Sequence, residues 1–138
     1  EQRDGEQAEE YDMPQEEKEK MPEQYEAVSL DDFVEYSKSM FEYWTEDDFA
    51  SSFRKMLTIE QFRSEEMQKL YQQYLVAGPA SYVKALFESI GIVNAKDKAA
   101  RFYAVMHFYY SLYDGAADKE KVKVEFVSAI KSLVQDLA

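Results

Sequence analysis

Residues 29–44 read SLDDFVEYSKSMFEYW, and the spacing within that stretch decides the fold class. Leu30, Phe33, Val34, Ser37, Met40, Phe41 and Trp44 recur every three or four residues, which gathers them on one side of an α-helix and scatters them over both faces of a strand. Ser29 precedes the pattern as an N-cap, and Asp31 and Asp32 follow where the positive end of the helix dipole favours acids. The same punctuation repeats downstream. Thr45 reads as the next cap, with Glu46, Asp47 and Asp48 behind it and Phe49, Phe53, Met56 and Leu57 as the apolar stripe. Ser64, followed by Glu65 and Glu66, starts a third helix carrying Met67, Leu70, Tyr71, Tyr74 and Leu75. Gly78-Pro79 then breaks or kinks the chain, because Pro79 has no amide proton and its ring clashes with the preceding turn. The pattern resumes at Tyr82, Val83, Leu86, Phe87 and Ile90 and ends at Gly91, a predicted left-handed residue. Asn94 is predicted to cap a helix running to about Tyr113, closed by Gly115. Asp118 caps the last helix, in which Val122, Phe126, Ala129, Ile130, Leu133 and Leu137 share one side. About six helices are expected.

Composition leads to the same class. The chain has 138 residues, of which only 4 are Gly and 3 Pro, too few turn formers for the tight hairpins of an all-β fold. An all-α domain over residues 29–138 is the expectation, and the length suits one core. With no cysteine, disulfides, thiolate metal sites and cysteine nucleophiles are excluded, and a reducing cytoplasm is the expected setting. No apolar run reaches the ~20 residues of a membrane helix, so no membrane partner is expected. No segment reads as a signal peptide.

The formal net charge of −12 opposes binding to phosphate backbones. Most of it lies in residues 1–28, which hold 11 acidic and 3 basic residues, while the remaining 110 hold 17 and 13. Residues 1–28 are read as a solvated acidic lead-in, interrupted by Pro14 and Pro22. The chain opens at Glu1 without Met, so it is expected to be part of something longer.

One helix differs from the others. Residues 102–113 read FYAVMHFYYSLY, apolar or aromatic in every direction, and a helix that is hydrophobic all round is buried all round. In a small domain this predicts its own core on one side and another chain on the other. Val124 and Val127, on a second face of the last helix, add to that expectation. The expected homodimer surface comprises Phe108, Leu112, Val122, Phe126, Ile130 and Leu133.

The chemistry-bearing residues point to binding rather than catalysis. His107 is the sole histidine. It reads either as a ligand contact or as a core histidine satisfied by a tyrosine or a backbone carbonyl. One histidine cannot build a His-based zinc site, and no Glu-x-x-His pair, phosphate loop, nucleophile elbow or EF-hand loop occurs. Neither an enzyme nor a cofactor is expected. The 11 tyrosines are a surplus, since a buried hydroxyl needs a partner where Phe would pack as well. A mostly apolar pocket lined by Phe41, Trp44, Phe53, Met56, Tyr74, Tyr103 and His107 is therefore expected, although at helical spacing the same aromatics also serve as plain core.

The second half resembles a known family. Phe102-Tyr103-Ala104, then Ser111-Leu112-Tyr113-Asp114-Gly115, a charged turn and an amphipathic closing helix are similar to the end of TetR-family transcriptional repressors. Tyr43-Trp44-Thr45-Glu46-Asp47, residues 56–61 (MLTIEQ) and residues 70–75 (LYQQYL) resemble the middle helices of the same effector domain. The resemblance covers roughly Ala27 to Ala138, and its motifs are diffuse. It implies dimerisation through the last two helices as an intermolecular four-helix bundle, and a small apolar or aromatic effector among the central helices. DNA would be contacted only by an N-terminal helix-turn-helix head. This sequence has no such head, and residues 1–28 would lie near the junction to it. The competing expectation is a helical protein–protein interaction module unrelated to transcription.

Overall fold

A computed structural model describes residues 29–137; the acidic lead-in expected over 1–28 lies outside the described residues. Six α-helices follow one another, with no strand among the described residues: α1 (Leu30–Glu46), α2 (Asp48–Glu60), α3 (Glu65–Leu75), α4 (Ala77–Ser89), α5 (Ala95–Gly115) and α6 (Lys119–Leu137). The all-α class read from the sequence is the fold observed. The 21-residue α5 organises it, packing against α1, α4 and α6, while α2 and α3 continue the wall from α1 round to α4.

The helix starts follow local chemistry. Ser29 forms a full capping box with Asp32, each side chain accepting from the other's backbone amide. Ser64 Oγ accepts from the amide of Met67, and Asp118 Oδ1 from that of Lys121. Two expected caps are corrected. Thr45 stays inside α1, its hydroxyl donating to the Phe41 carbonyl at 2.6 Å, and Asp47 caps α2 instead. A carboxylate at that position accepts from Ala50 and also favours the helix dipole. Asn94 opens α5 through its backbone alone, in the left-handed region at φ 55°, with no side-chain cap. Gly91 is left-handed as predicted, at φ 85°.

The break at Gly78-Pro79 is real and falls slightly earlier than those residues. α3 ends at Leu75, Val76 leaves the helical region, and α4 begins at Ala77 with Pro79 in its first turn. Gly78 is required there: a Cβ would sit 2.1 Å from the Gln73 carbonyl oxygen.

Phe33, Phe41, Phe87, Phe102 and Phe126 are fully buried and in ring contact across α1, α4, α5 and α6. Each stabilises the fold by about 1.5–3 kcal/mol through the apolar surface it removes from water. One expectation about faces, that for α6, is corrected by this core. Within the chain α5 buries one side: Ala95, Ala99, Phe102, Met106 and Tyr110 form one inward stripe, whereas Phe108 and Leu112 face outward, 58% and 40% exposed. On α6, Val122, Phe126 and Ile130 are buried inside their own chain, Phe126 stacking on Phe41 at 4.2 Å, so they offer no surface to a second copy. Leu133 is half-buried, and Val124 is the outward residue, 66% exposed.

The stripe predicted for α2 is also rotated. Ala50, Arg54 and Leu57 face inward, while Phe49 and Met56 are exposed and Phe53 is half-buried. The cause is Arg54, 4% exposed. Its Nε donates to the Trp44 carbonyl at 2.9 Å, and its two terminal nitrogens donate to the Asp114 carboxylate at 3.0 and 2.7 Å. Its guanidinium also lies 4.8 Å from the centre of the Tyr110 ring. This bidentate pair ties α2 to the end of α1 and the end of α5, and it fixes which side of α2 turns inward.

Candidate functional site

The aromatic seam lies where α1, the α3–α4 junction and α5 meet. Met40 and Trp44 come from α1, Tyr74 and Leu75 from α3, Pro79 from α4, and Tyr103, Met106 and Tyr110 from α5. Trp44, Tyr74 and Tyr103, three of the residues predicted to line a pocket, do converge here. The seam encloses only about 10 Å³, roughly the space of a single water and far below what a small-molecule ligand occupies. In this conformation the side chains fill it themselves.

The other predicted residues sit elsewhere. Phe41 lies deeper, stacked between Phe126 and Tyr110 as core. Phe53 supports the seam from behind, its ring edge-on to Tyr74 at 5.2 Å. Met56 is exposed on α2 and does not reach the seam. His107 borders the seam with a defined backbone task. In a continuous helix the Leu75 carbonyl would accept from the amide of residue 79, which proline lacks. His107 Nε2 stands 2.8 Å from that carbonyl, and the contact requires Nε2 to carry the proton and donate. The histidine thus satisfies the acceptor that Pro79 orphans, the backbone-carbonyl alternative of the two open at the sequence level. Burial pushes the ring's pKa below its ordinary 6.5; the Leu75 bond opposes this shift and the Arg54 charge adds to it.

Pattern reading missed the Arg54–Asp114 pair, which borders the seam through Tyr110 and Trp44. A signal for it was present. Asp114 stands at the negative end of α5, where the dipole disfavours an acid unless a cation answers it. Arg54 lies four residues after Ala50 and three before Leu57, in core register.

A second ionic cluster joins α6 to α1. Lys123 Nζ reaches Glu46 at 2.7 Å, Glu42 at 3.3 Å and Glu120 at 3.5 Å. The hydrogen bond to Glu46 raises its pKa strongly, and the smaller effect of burial opposes that. Among the described residues no group of three or more metal-ligating side chains could hold an ion. No described helix is long and apolar enough to cross a membrane. Comparisons with protein-family models, with curated proteins and with solved structures each give no match.

Proposed function

We propose that this chain is the ligand-sensing and dimerisation domain of a TetR-like transcriptional repressor, in which a bound small molecule alters the DNA affinity of the full-length homodimer. The observation that carries the proposal is the outer surface of the last two helices, where Phe108, Leu112 and Val124 stand exposed around half-buried tyrosines and Val127. A second copy presenting the same surface would remove that apolar area from water by two-fold contact. DNA would be reached only through a head outside this chain.

The seam is the sensing element of the proposal. A small apolar or aromatic effector would have to part Tyr74 and Pro79 from Tyr103, because the closed seam has no room for it. A ligand that prefers the parted arrangement shifts the dimer towards it. Coupling of ~1–3 kcal/mol would change affinity at the distant DNA site by ~5–150-fold. The test is a titration of the full chain with a panel of planar aromatic compounds, followed by Trp44 fluorescence and amide NMR shifts. At least one compound should change Trp44 emission and shift Tyr74 and Tyr103, with the response lost in Tyr103→Ala. A panel that leaves all three unmoved would reject the sensing role.

A specific observation favours a second reading, a helical module that grips a partner protein. Phe49, Ile59 and Phe62, on and just after α2, are 70%, 66% and 84% exposed, far from the last two helices in sequence. The regulator reading expects Phe49→Ser and Phe62→Ser to leave self-association and ligand response unchanged.

A further inference from the structure

An open groove of about 260 Å³ runs between the first turns of α5 and the last turns of α6, and shares no lining residue with the aromatic seam. Its floor is apolar, formed by buried Leu137 and half-buried Leu133. Its rim carries Lys98 and Arg101 from α5 and Ser132 and Asp136 from α6. Among the described residues neither Lys98 nor Arg101 has an ion-pair or side-chain hydrogen-bond partner, so both charges are uncommitted in a chain of net charge −12.

We propose that this groove binds a medium-chain monocarboxylate. The alkyl chain lies along Leu133 and Leu137, where burial of each methylene contributes ~0.8 kcal/mol. The carboxylate sits between Lys98 and Arg101, whose planar fork matches its two oxygens, and the Ser132 hydroxyl is a further donor. Asp136 on the same rim sets the charge selectivity. With two cations and one carboxylate the rim carries one net positive charge, which a monocarboxylate neutralises, whereas phosphate has no alkyl chain to cover Leu133 and Leu137 and lacks the apolar part of the contact. The proposal is independent of the regulator reading and shares only Leu133 with the homodimer surface expected from the sequence.

Isothermal titration calorimetry of the full chain tests it, with octanoate, octanol and inorganic phosphate as probes and amide NMR shifts to place the binding. Octanoate should bind, shifting Ser132 and Leu133, at least about tenfold more tightly than octanol, as charge-assisted pairing requires. Phosphate should bind weakly or not at all. Lys98→Glu together with Arg101→Glu should abolish octanoate binding, and Arg101→Gln alone should weaken it, with an unchanged melting temperature in both. The proposal is overturned if octanol matches octanoate, if the charge variants leave affinity unaltered, or if the shifts fall on the Trp44 seam. Binding that weakens as protein concentration rises would show that a second copy covers the groove, and would also overturn it.

Discussion

Removing Asp114 should damage the fold more than removing the arginine it faces. Arg54 is almost fully buried and has three of its donors engaged, one with the Trp44 carbonyl and two with Asp114. Asp114→Ala leaves a buried guanidinium with two donors stranded. Breaking a fully buried pair in this way costs about 3–5 kcal/mol. The Asp114 side chain is 29% exposed, so water replaces part of what is lost, and about 2–3 kcal/mol is the expected destabilisation. Arg54→Met removes the buried charge together with its requirement for partners, leaving a carboxylate that water already reaches. That variant loses the Trp44 contact and the Tyr110 cation–π contact, about 1–2 kcal/mol in total. Urea unfolding followed by far-UV circular dichroism gives both values, and the double variant should resemble Arg54→Met alone. Asp114→Ala within 0.5 kcal/mol of the parent, a margin of roughly the usual effect of a surface substitution, would refute the idea that this pair sets the rotation of α2. So would Arg54→Met proving the worse of the two.

Three further predictions concern the α3–α4 junction and the ionic cluster. Gly78→Ala should cost at least about 2 kcal/mol, because its Cβ meets a backbone oxygen that cannot move aside, whereas Gly115→Ala, with open space around it, should be neutral or mildly stabilising; thermal melts compare the two. His107 has a folded pKa below 6.5, so the unfolded chain binds more protons as pH falls beneath 6.5, and stability drops through that window and is fully present above it. His107→Gln keeps an N–H donor without titrating, so urea midpoints of the two proteins at pH 7.0 and 5.5 should diverge by less in the variant than in the parent. Lys123→Met should cost about 1 kcal/mol, since Glu42 and Glu46 are partly exposed, and the difference should shrink in high salt as screening weakens the parent's ion pairs.

The sequence made helix starts legible wherever the deciding interaction spans three or four residues. Ser29, Ser64, Asp118 and the left-handed Gly91 all lie in such local frames, and so does the break imposed by Pro79. Thr45 was misread because a hydroxyl three residues before an acid fits a cap equally well inside a helix, where it donates to the carbonyl four residues back. The rotation of α2 was hidden because its cause lies 60 residues away, in a charged side chain that pattern reading assigns to the surface. Counting apolar residues in α5 did not reveal which of them the chain itself covers. Phe102 and Met106 face inward and Phe108 outward although all three fit the same helix. In the candidate site, Trp44, Tyr74 and Tyr103 were legible as large aromatics at helical spacing, but their convergence on a closed seam depends on the crossing of α1, α3 and α5. His107 owes its role to a carbonyl 32 residues away that Pro79 leaves unpaired.

The mass of the chain in solution tests the proposed regulator most directly. Light scattering coupled to size-exclusion chromatography should give twice 16.2 kDa at micromolar concentration. Phe108→Glu combined with Val124→Glu should return the mass to one copy while circular dichroism and melting temperature stay close to those of the parent, because both residues face away from the core. Charging Phe126 or Ile130 is not an equivalent test, since both are fully buried in their own chain and their loss would unfold it. A well-folded monomer at tens of micromolar, or a dimer indifferent to Phe108 and Val124, would contradict the proposal.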